Sequence, residues 1–370
     1  MNKIRFVDLA AQFIEIRSEV DELWNETLGS CRFFGGPELE AFETEFAEFC
    51  NADWCVGVSS GTEALKMALS ISDVGPGDEV ITVPNSFFAT AAAVSLLGAN
   101  PVFVDVDPDT LLMDIEAAAK AITNKTKAIL PVHLFGSMLD IEAINELAKA
   151  HGLAVVEDAC QAHGASFKGT RAGGSGNICA FSFYPGKNLG GIGEGGAIVG
   201  IEGGIEGKLR AWRGHGQVGK NRHDYISGNS HLDALNSGVL RIKLRRLDEW
   251  NDQRRKFALL YQKLFDDLAV PYPRAPESCQ SSYHLFPIFV PKRNELREKL
   301  SEAMIESGVH YPVPIHLQEA YKDLSYKEGD FPVAERWMLN HITVPIHPHL
   351  DTDDVSRIVS VVEEHCKTYS

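Results

Sequence analysis

At 370 residues the chain is too long for one small core and implies two domains, or one large α/β domain with an appendage. A composition 44% hydrophobic and 23% charged excludes a disordered chain, and a formal charge of −16 excludes long-range attraction to nucleic acid or anionic membrane. A phosphorylated ligand would therefore have to be held by backbone N–H groups and a few local cations.

Seven cysteines, at 31, 50, 55, 160, 179, 279 and 366, form no C-x-x-C pair and are odd in number. They offer neither a zinc ligand set nor a disulfide framework, which suits a reducing cytoplasm. Asp8, Glu15 and Glu19 argue against a signal peptide, and the most apolar run, ATAAAVSLLGA, is 11 residues, too short for a membrane span. A soluble cytoplasmic protein is expected.

Along the chain, ELEAFETEFAEFC (38–50) has the apolar spacing of an amphipathic helix. From residue 54, short strands alternate with helices. WCVGVSS precedes GTEALKMALSIS, EVITVP precedes FFATAAAVSLLG, and PVFVDVD precedes IEAAAKAI. AILPVHLFG then leads into IEAINELAKAHG, and LAVVEDAC is followed by AFSFYP and GAIVGI. Val- and Ile-rich strands separated by helices predict right-handed βαβ units and an α/β fold with a mostly parallel sheet flanked by helices. Residues 239–268 read as one long helix. Beyond it YHLFPIFV, ELREKLSEAMIESG, ERWMLNH, ITVPI and DVSRIVSVVEEHC predict a smaller α/β unit. The expected division is a large domain over 1–245, which includes an N-terminal helical segment, and a small C-terminal domain over 246–370.

Four stretches carry candidate chemistry. In VSSGTEAL (58–65) a strand gives way to a helix through Gly61, where free N–H groups of the first turn attract phosphate. In VVEDACQAHGA (155–165) Asp158 ends an apolar strand at the edge that faces the ligand crevice of a parallel sheet, with Gln161 and His163 just beyond. PNSFFAT (84–90) puts Phe87 at another strand-to-helix junction. FSFYPGKNLGGIGEGGAIV (181–199) holds one cation, Lys187, among glycines. Each has a plainer reading: Ser60 or Thr62 as a helix cap, Asp158 as a turn cap, Phe87 as core, Lys187 as a solvated lysine. The sharper reading makes Lys187 a nucleophilic amine, its pKa lowered by desolvation, able to form a Schiff base with a carbonyl.

Taken together and in order, SSGTEAL, PNSFFATAAAV, PVFVDVDPDT, EDACQAHGA, FSFYPGKNLG, GNSHLD and VHYPVPIHLQEAY closely resemble the DegT/DnrJ/StrS class of sugar aminotransferases, which are fold-type I pyridoxal phosphate enzymes. The resemblance covers nearly the whole chain. It implies that Lys187 carries pyridoxal 5'-phosphate as an imine and shuttles the proton, and that Asp158 pairs with the pyridine nitrogen. It further implies phosphate contacts from Gly61, Thr62 and Ser182, an aromatic wall from Phe87, and Gln161 at the ring hydroxyl edge. Asn229 matches an asparagine that reaches the phosphate from a neighbouring subunit, which implies a homodimer with shared active sites. His163, Tyr184, His231 and His316 stand as substrate-contact candidates. His231 occupies the place of the usual arginine in N-x-R-L-D, and Asn236, Ser237 and Gly238 replace a common Q-A-A.

The implied reaction moves an amino group from L-glutamate, leaving 2-oxoglutarate, to a nucleotide-linked keto-sugar. SFYPGKNLGG and RGHGQ point to C3 of a dTDP-3-keto-6-deoxyhexose; a C4 aminotransferase acting on a UDP- or GDP-4-keto sugar is the alternative, with a non-catalytic regulatory homologue further off. Sugar dehydratases of this class characteristically carry histidine at the Schiff-base position, whereas this chain keeps Lys187.

Overall fold

The computed structural model describes residues 2–201 and 203–369. Seven strands form the main sheet: β1 (Trp54–Val58), β2 (Glu79–Thr82), β3 (Asn100–Phe103), β4 (Thr126–Ile129), β5 (Ala154–Asp158), β6 (Ile178–Ser182) and β7 (Gly196–Gly200). Their spatial order is β1-β7-β6-β5-β4-β2-β3. From β6 across to β3 all neighbours are parallel, as the helix-separated strand runs predict. Only β7 runs antiparallel to both of its neighbours. The reason is local: no helix intervenes between β6 and β7, so the chain turns straight back and pairs Ser182 with Gly196. Residues 183–195 therefore project from the same edge at which β5 ends, and Lys187 and Asp158 meet there.

The helices cover both faces. They include α1 (Pro37–Cys50), α2 (Gly61–Ile71), α3 (Phe88–Ser95) and α4 (Ile141–His151). α1 buries Leu39, Phe42, Phe46 and Cys50, one turn apart, and Phe46 meets Phe181 and Phe183 edge-on at 5.1 and 5.2 Å. α2 buries Ala64, Leu65, Ala68 and Leu69 against a second apolar layer built on Val56, Val80, Ala128 and Ile198.

The single long helix expected over 239–268 is two: α5 (Ala234–Leu244) and α6 (Leu247–Asp267). The apolar pattern does run across the junction, but Leu244 and Leu247 both enter the main core and the chain bends to bury both. Arg245 and Arg246 turn outward there and both pair with Glu19. α5 then packs on α1, while α6 packs on the last helix, α7 (Thr352–Tyr369).

A smaller apolar cluster joins α6 and α7 to the antiparallel pair β8 (Phe286–Phe289) and β9 (His341–Val344). The expected division at 245/246 is crossed in both directions. Ile4 packs with this C-terminal cluster, whereas Ile315, Tyr321, Phe331 and Ala334 pack into the main core. Among the described residues no helix is long and apolar enough to cross a membrane, and no group of three or more His, Cys, Asp or Glu residues could hold a metal ion.

Candidate active site

Asp158 is the last residue of β5, and only 4% of it is exposed. Its Oδ2 accepts a 2.7 Å hydrogen bond from Thr90 Oγ1 on α3, and its Oδ1 accepts from the Cys160 amide at 3.1 Å. Its own backbone is tied to Pro131 and His133 at 2.9 and 3.0 Å. One residue back, Glu157 is wholly buried, and His133 Nε2 lies 2.7 Å from it. Burial alone would raise the Glu157 pKa, but hydrogen bonds from His133, Ser175 and Asn177 outweigh it and hold the carboxyl below its ordinary range. The β4 and β5 termini are thus cross-braced, and Asp158 is a buried carboxylate aimed from a rigid edge.

The second component is an anion cradle. A Cβ on Gly61, the first residue of α2, would lie 2.6 Å from Ser182 Cβ, so the absence of a side chain is what brings this helix N-terminus beside the end of β6. Ser60 caps the helix by accepting from the Glu63 amide at 3.1 Å. The Thr62 hydroxyl makes no hydrogen bond among the described residues. Gly61, Thr62 and Ser182 therefore converge at a helix N-terminus whose free N–H groups favour a phosphate.

The third is Lys187, in the turn after β6, whose amide donates to Tyr184 O at 2.8 Å. Its Nζ donates no hydrogen bond among the described residues. Burial lowers its pKa, and the electrostatic influence of Cys160 and Asp158 offsets this in part. The walls are aromatic and polar. Phe87 is 54% exposed, and its ring lies 5.4 Å from that of Tyr311. Gln161 accepts from the Phe135 amide at 2.8 Å and donates to Tyr311 Oη at 3.2 Å. Burial and then the Asp158 charge push the Tyr311 phenol up. Lys187, Asp158, Gly61, Thr62, Ser182, Phe87 and Gln161 thus gather about the ends of β5 and β6.

Two substrate-contact expectations are corrected. His163 is 0% exposed, its ring centroid 5.3 Å from that of Phe181 and 5.9 Å from that of Phe183. It lies inside the main core and has no open face for a sugar. His316 is 1% exposed, hydrogen-bonded to Glu335 at 3.1 Å and edge-on to Phe331 at 4.7 Å. Both belong to recognisable motifs, yet both point into the protein. Tyr184 is exposed beside Lys187. His231 is half-buried against Phe34, with ring centroids 4.3 Å apart, and burial followed by the Arg213 charge lowers its pKa. Asn229 is exposed and its backbone is bridged to Gly214.

Sequence reasoning missed Thr90, Cys160 and Tyr311. Thr90 lies at the end of PNSFFAT, three residues after Phe87, and Tyr311 lies in the quoted HYPVP run, so the signal existed but the contacts did not.

Burial holds His163 at a pKa of about 3, and His310, His341 and His347 at about 4. Each is depressed below the unfolded value of about 6.5, so below that pH the unfolded chain binds the extra protons. Stability is therefore expected to be intact at pH 7 and to fall as pH drops from about 6.5 toward 4, by about 1.4 kcal/mol per pH unit for each such histidine. A urea midpoint equal at pH 7 and pH 5 would contradict this.

Comparison with known proteins gives the same picture. The DegT/DnrJ/EryC1/StrS aminotransferase family matches residues 15–363. A dTDP-3-amino-3,4,6-trideoxy-alpha-D-glucose transaminase from Streptomyces venezuelae is 42% identical over 363 residues, covering 98% of this chain and 96% of its own. A UDP-N-acetyl-3-dehydro-alpha-D-glucosamine 3-aminotransferase from Acidithiobacillus ferrooxidans is 38% identical, covering 97% of both chains. The crystal structure of S. venezuelae DesV in complex with a ketimine intermediate superposes with a TM-score of 0.96 at 42% identity, covering 98% of each chain. With its family pattern matched over almost its full length, the chain belongs to the DegT/DnrJ/EryC1/StrS aminotransferase family.

Proposed function

We propose that the protein transfers an amino group from L-glutamate to the C3 carbonyl of a dTDP-linked 3-keto-6-deoxyhexose, using pyridoxal 5'-phosphate bound through Lys187. The observation that carries this reading is the meeting of Lys187 and Asp158 at the ends of adjacent strands, each within the other's electrostatic reach. The residues fit the cofactor. A phosphate suits the cradle of Gly61, Thr62 and Ser182, and a protonated pyridine nitrogen suits the carboxylate of Asp158, which Thr90 and Cys160 hold in place. The ring's hydroxyl edge suits the Gln161 amide. When bound, the cofactor supplies an electron sink that stabilises negative charge at the carbon of the amine being transferred.

The chain's own residues then have separable tasks. Lys187 Nζ, its ammonium form disfavoured by burial, accepts the proton from the donor's α-carbon and later delivers one to the sugar carbon that gains nitrogen. Asp158 stands opposite, held by Thr90 and the Cys160 amide in a place that water scarcely reaches. Phe87 and Tyr311 flank the crevice with ring surface. Tyr184 is open to the second substrate.

A homodimer with shared sites fits the same reading. Asn229 stands on an exposed loop near the fully exposed Ile226 and is disposed to reach a neighbouring subunit. The C3 assignment draws on the relatives that act at that position, and the C4 alternative differs in sugar and nucleotide rather than in chemistry. Incubating the amine-loaded enzyme with a panel of keto-sugar nucleotides, and watching which restores the visible cofactor band, tests it. Restoration by dTDP-3-keto sugars is expected. Restoration only by 4-keto UDP- or GDP-sugars would move the assignment to C4.

A further inference from the structure

Residues 188–194, which follow Lys187 directly, leave several backbone groups without a sheet partner, and two side chains of α5 take them up. Lys243 Nζ donates to Gly190 O at 2.7 Å. Asn236 Oδ1 accepts from the Ile192 amide at 2.9 Å, and its Nδ2 donates to Glu194 O at 2.9 Å. The approach is close enough that a Cβ on Gly191 would lie 2.0 Å from Asn236 Oδ1. At the near end Asn188 Nδ2 donates to Asn251 Oδ1 of α6 and to Ser282 O, at 2.9 and 2.8 Å.

Lys243 is the unusual member. It is fully buried, and among the described residues its Nζ has a single hydrogen bond, with the ring of Phe13 4.3 Å from it at the centroid. Burial depresses its pKa to about 7. An amine so placed costs stability that an apolar side chain of the same length would not. Packing alone therefore does not account for a lysine at this position. A carbonyl at the end of its reach does, and the bond survives in either protonation state because a neutral amine still carries N–H groups.

We propose that Lys243 and Asn236 together clamp the glycine-rich segment after Lys187 onto α5, and so set where the Lys187 amine stands in the crevice. They act through the loop and touch no reacting atom, so they are positioning residues. Gly191 has a reason of its own here: without a side chain it lets the loop come within hydrogen-bond reach of Asn236. The inference rests on the reading of Lys187 as the cofactor-bearing amine.

The test uses the full-length protein without cofactor, comparing wild type with Lys243→Met and Asn236→Ala. Two quantities are read: hydrogen–deuterium exchange over residues 188–195, and the pKa of the Lys187 amine from competitive chemical labelling against pH. Lys243→Met is expected to keep or raise the melting temperature, because it removes a buried amine. The same change should speed exchange in the loop at least about tenfold and move the Lys187 pKa toward that of a free lysine. Asn236→Ala should do the same to loop and amine while leaving Lys243 intact, and the double variant should add less than the sum. Unchanged loop exchange and an unchanged Lys187 titration in Asn236→Ala and in folded Lys243→Met overturn the clamp. Should Lys243→Met fail to fold, Asn236→Ala decides the matter alone. Borohydride reduction of the wild-type holoenzyme with peptide mapping keeps the two readings apart: a tag on another lysine removes the role of Lys187, whereas a tag on Lys187 leaves only the clamp in question.

Discussion

Replacing Lys187 with alanine is expected to abolish transamination, lowering kcat by at least about 10⁴-fold, while the protein still folds and still binds pyridoxal phosphate without a covalent link. The magnitude follows because one amine has two duties. As the proton carrier alone it is worth about 10²–10⁴, and loss of the covalent attachment adds to that. Folding should survive because Nζ has no hydrogen bond to lose among the described residues. Cofactor binding should survive because Gly61, Thr62, Ser182 and Asp158 remain. Borohydride should then tag no lysine in the variant, and Lys187 in the wild type. A variant that retains even a few per cent of wild-type turnover would show that the proton moves through some other group.

The second large effect belongs to Asp158→Asn. Asparagine keeps the shape and can still accept from the Cys160 amide, and the Thr90 hydroxyl can turn to accept from its NH₂ instead of donating. The negative charge is what is lost. Losing one preorganised group that stabilises charge during the reaction costs about 10²–10³ in rate, so kcat is expected to fall at least about 100-fold with little change in melting temperature. Thr90→Val should act in the same direction more weakly, by roughly ten- to a hundred-fold, as it removes one hydrogen bond to a charged acceptor at 2.7 Å. Steady-state rates and the position of the cofactor's absorption band would check both. If Thr90→Val proved worse than Asp158→Asn, the hydroxyl rather than the charge would be the group that matters.

The place of His163 and His316 shows the limit of motif reading in physical terms. Both stand in stretches that mark the family, and both were expected at the substrate. A motif records which residues travel together, not which way each points. His163 follows Asp158 by five residues, yet its ring lies in the core between Phe181 and Phe183. His316 is held by Glu335, a residue 19 positions later that no local pattern connects to it. The break between α5 and α6 has the same origin. Local periodicity favoured one helix, and the demand to bury Leu244 and Leu247 in a core made by distant strands produced two.

What the amino-acid sequence determined by itself was therefore local and ordinal: the alternation of strands and helices, the glycines at helix starts, the acid at the end of β5 and the solitary lysine after β6. These are set by backbone sterics and side-chain spacing within a few residues. The tertiary structure alone decided which of them share a crevice, that Thr90 and Cys160 hold Asp158, and that Lys243 and Asn236 reach the loop beyond Lys187 from some fifty residues away. Contacts of that range depend on how the whole sheet closes over its helices, and no short stretch of sequence carries that information.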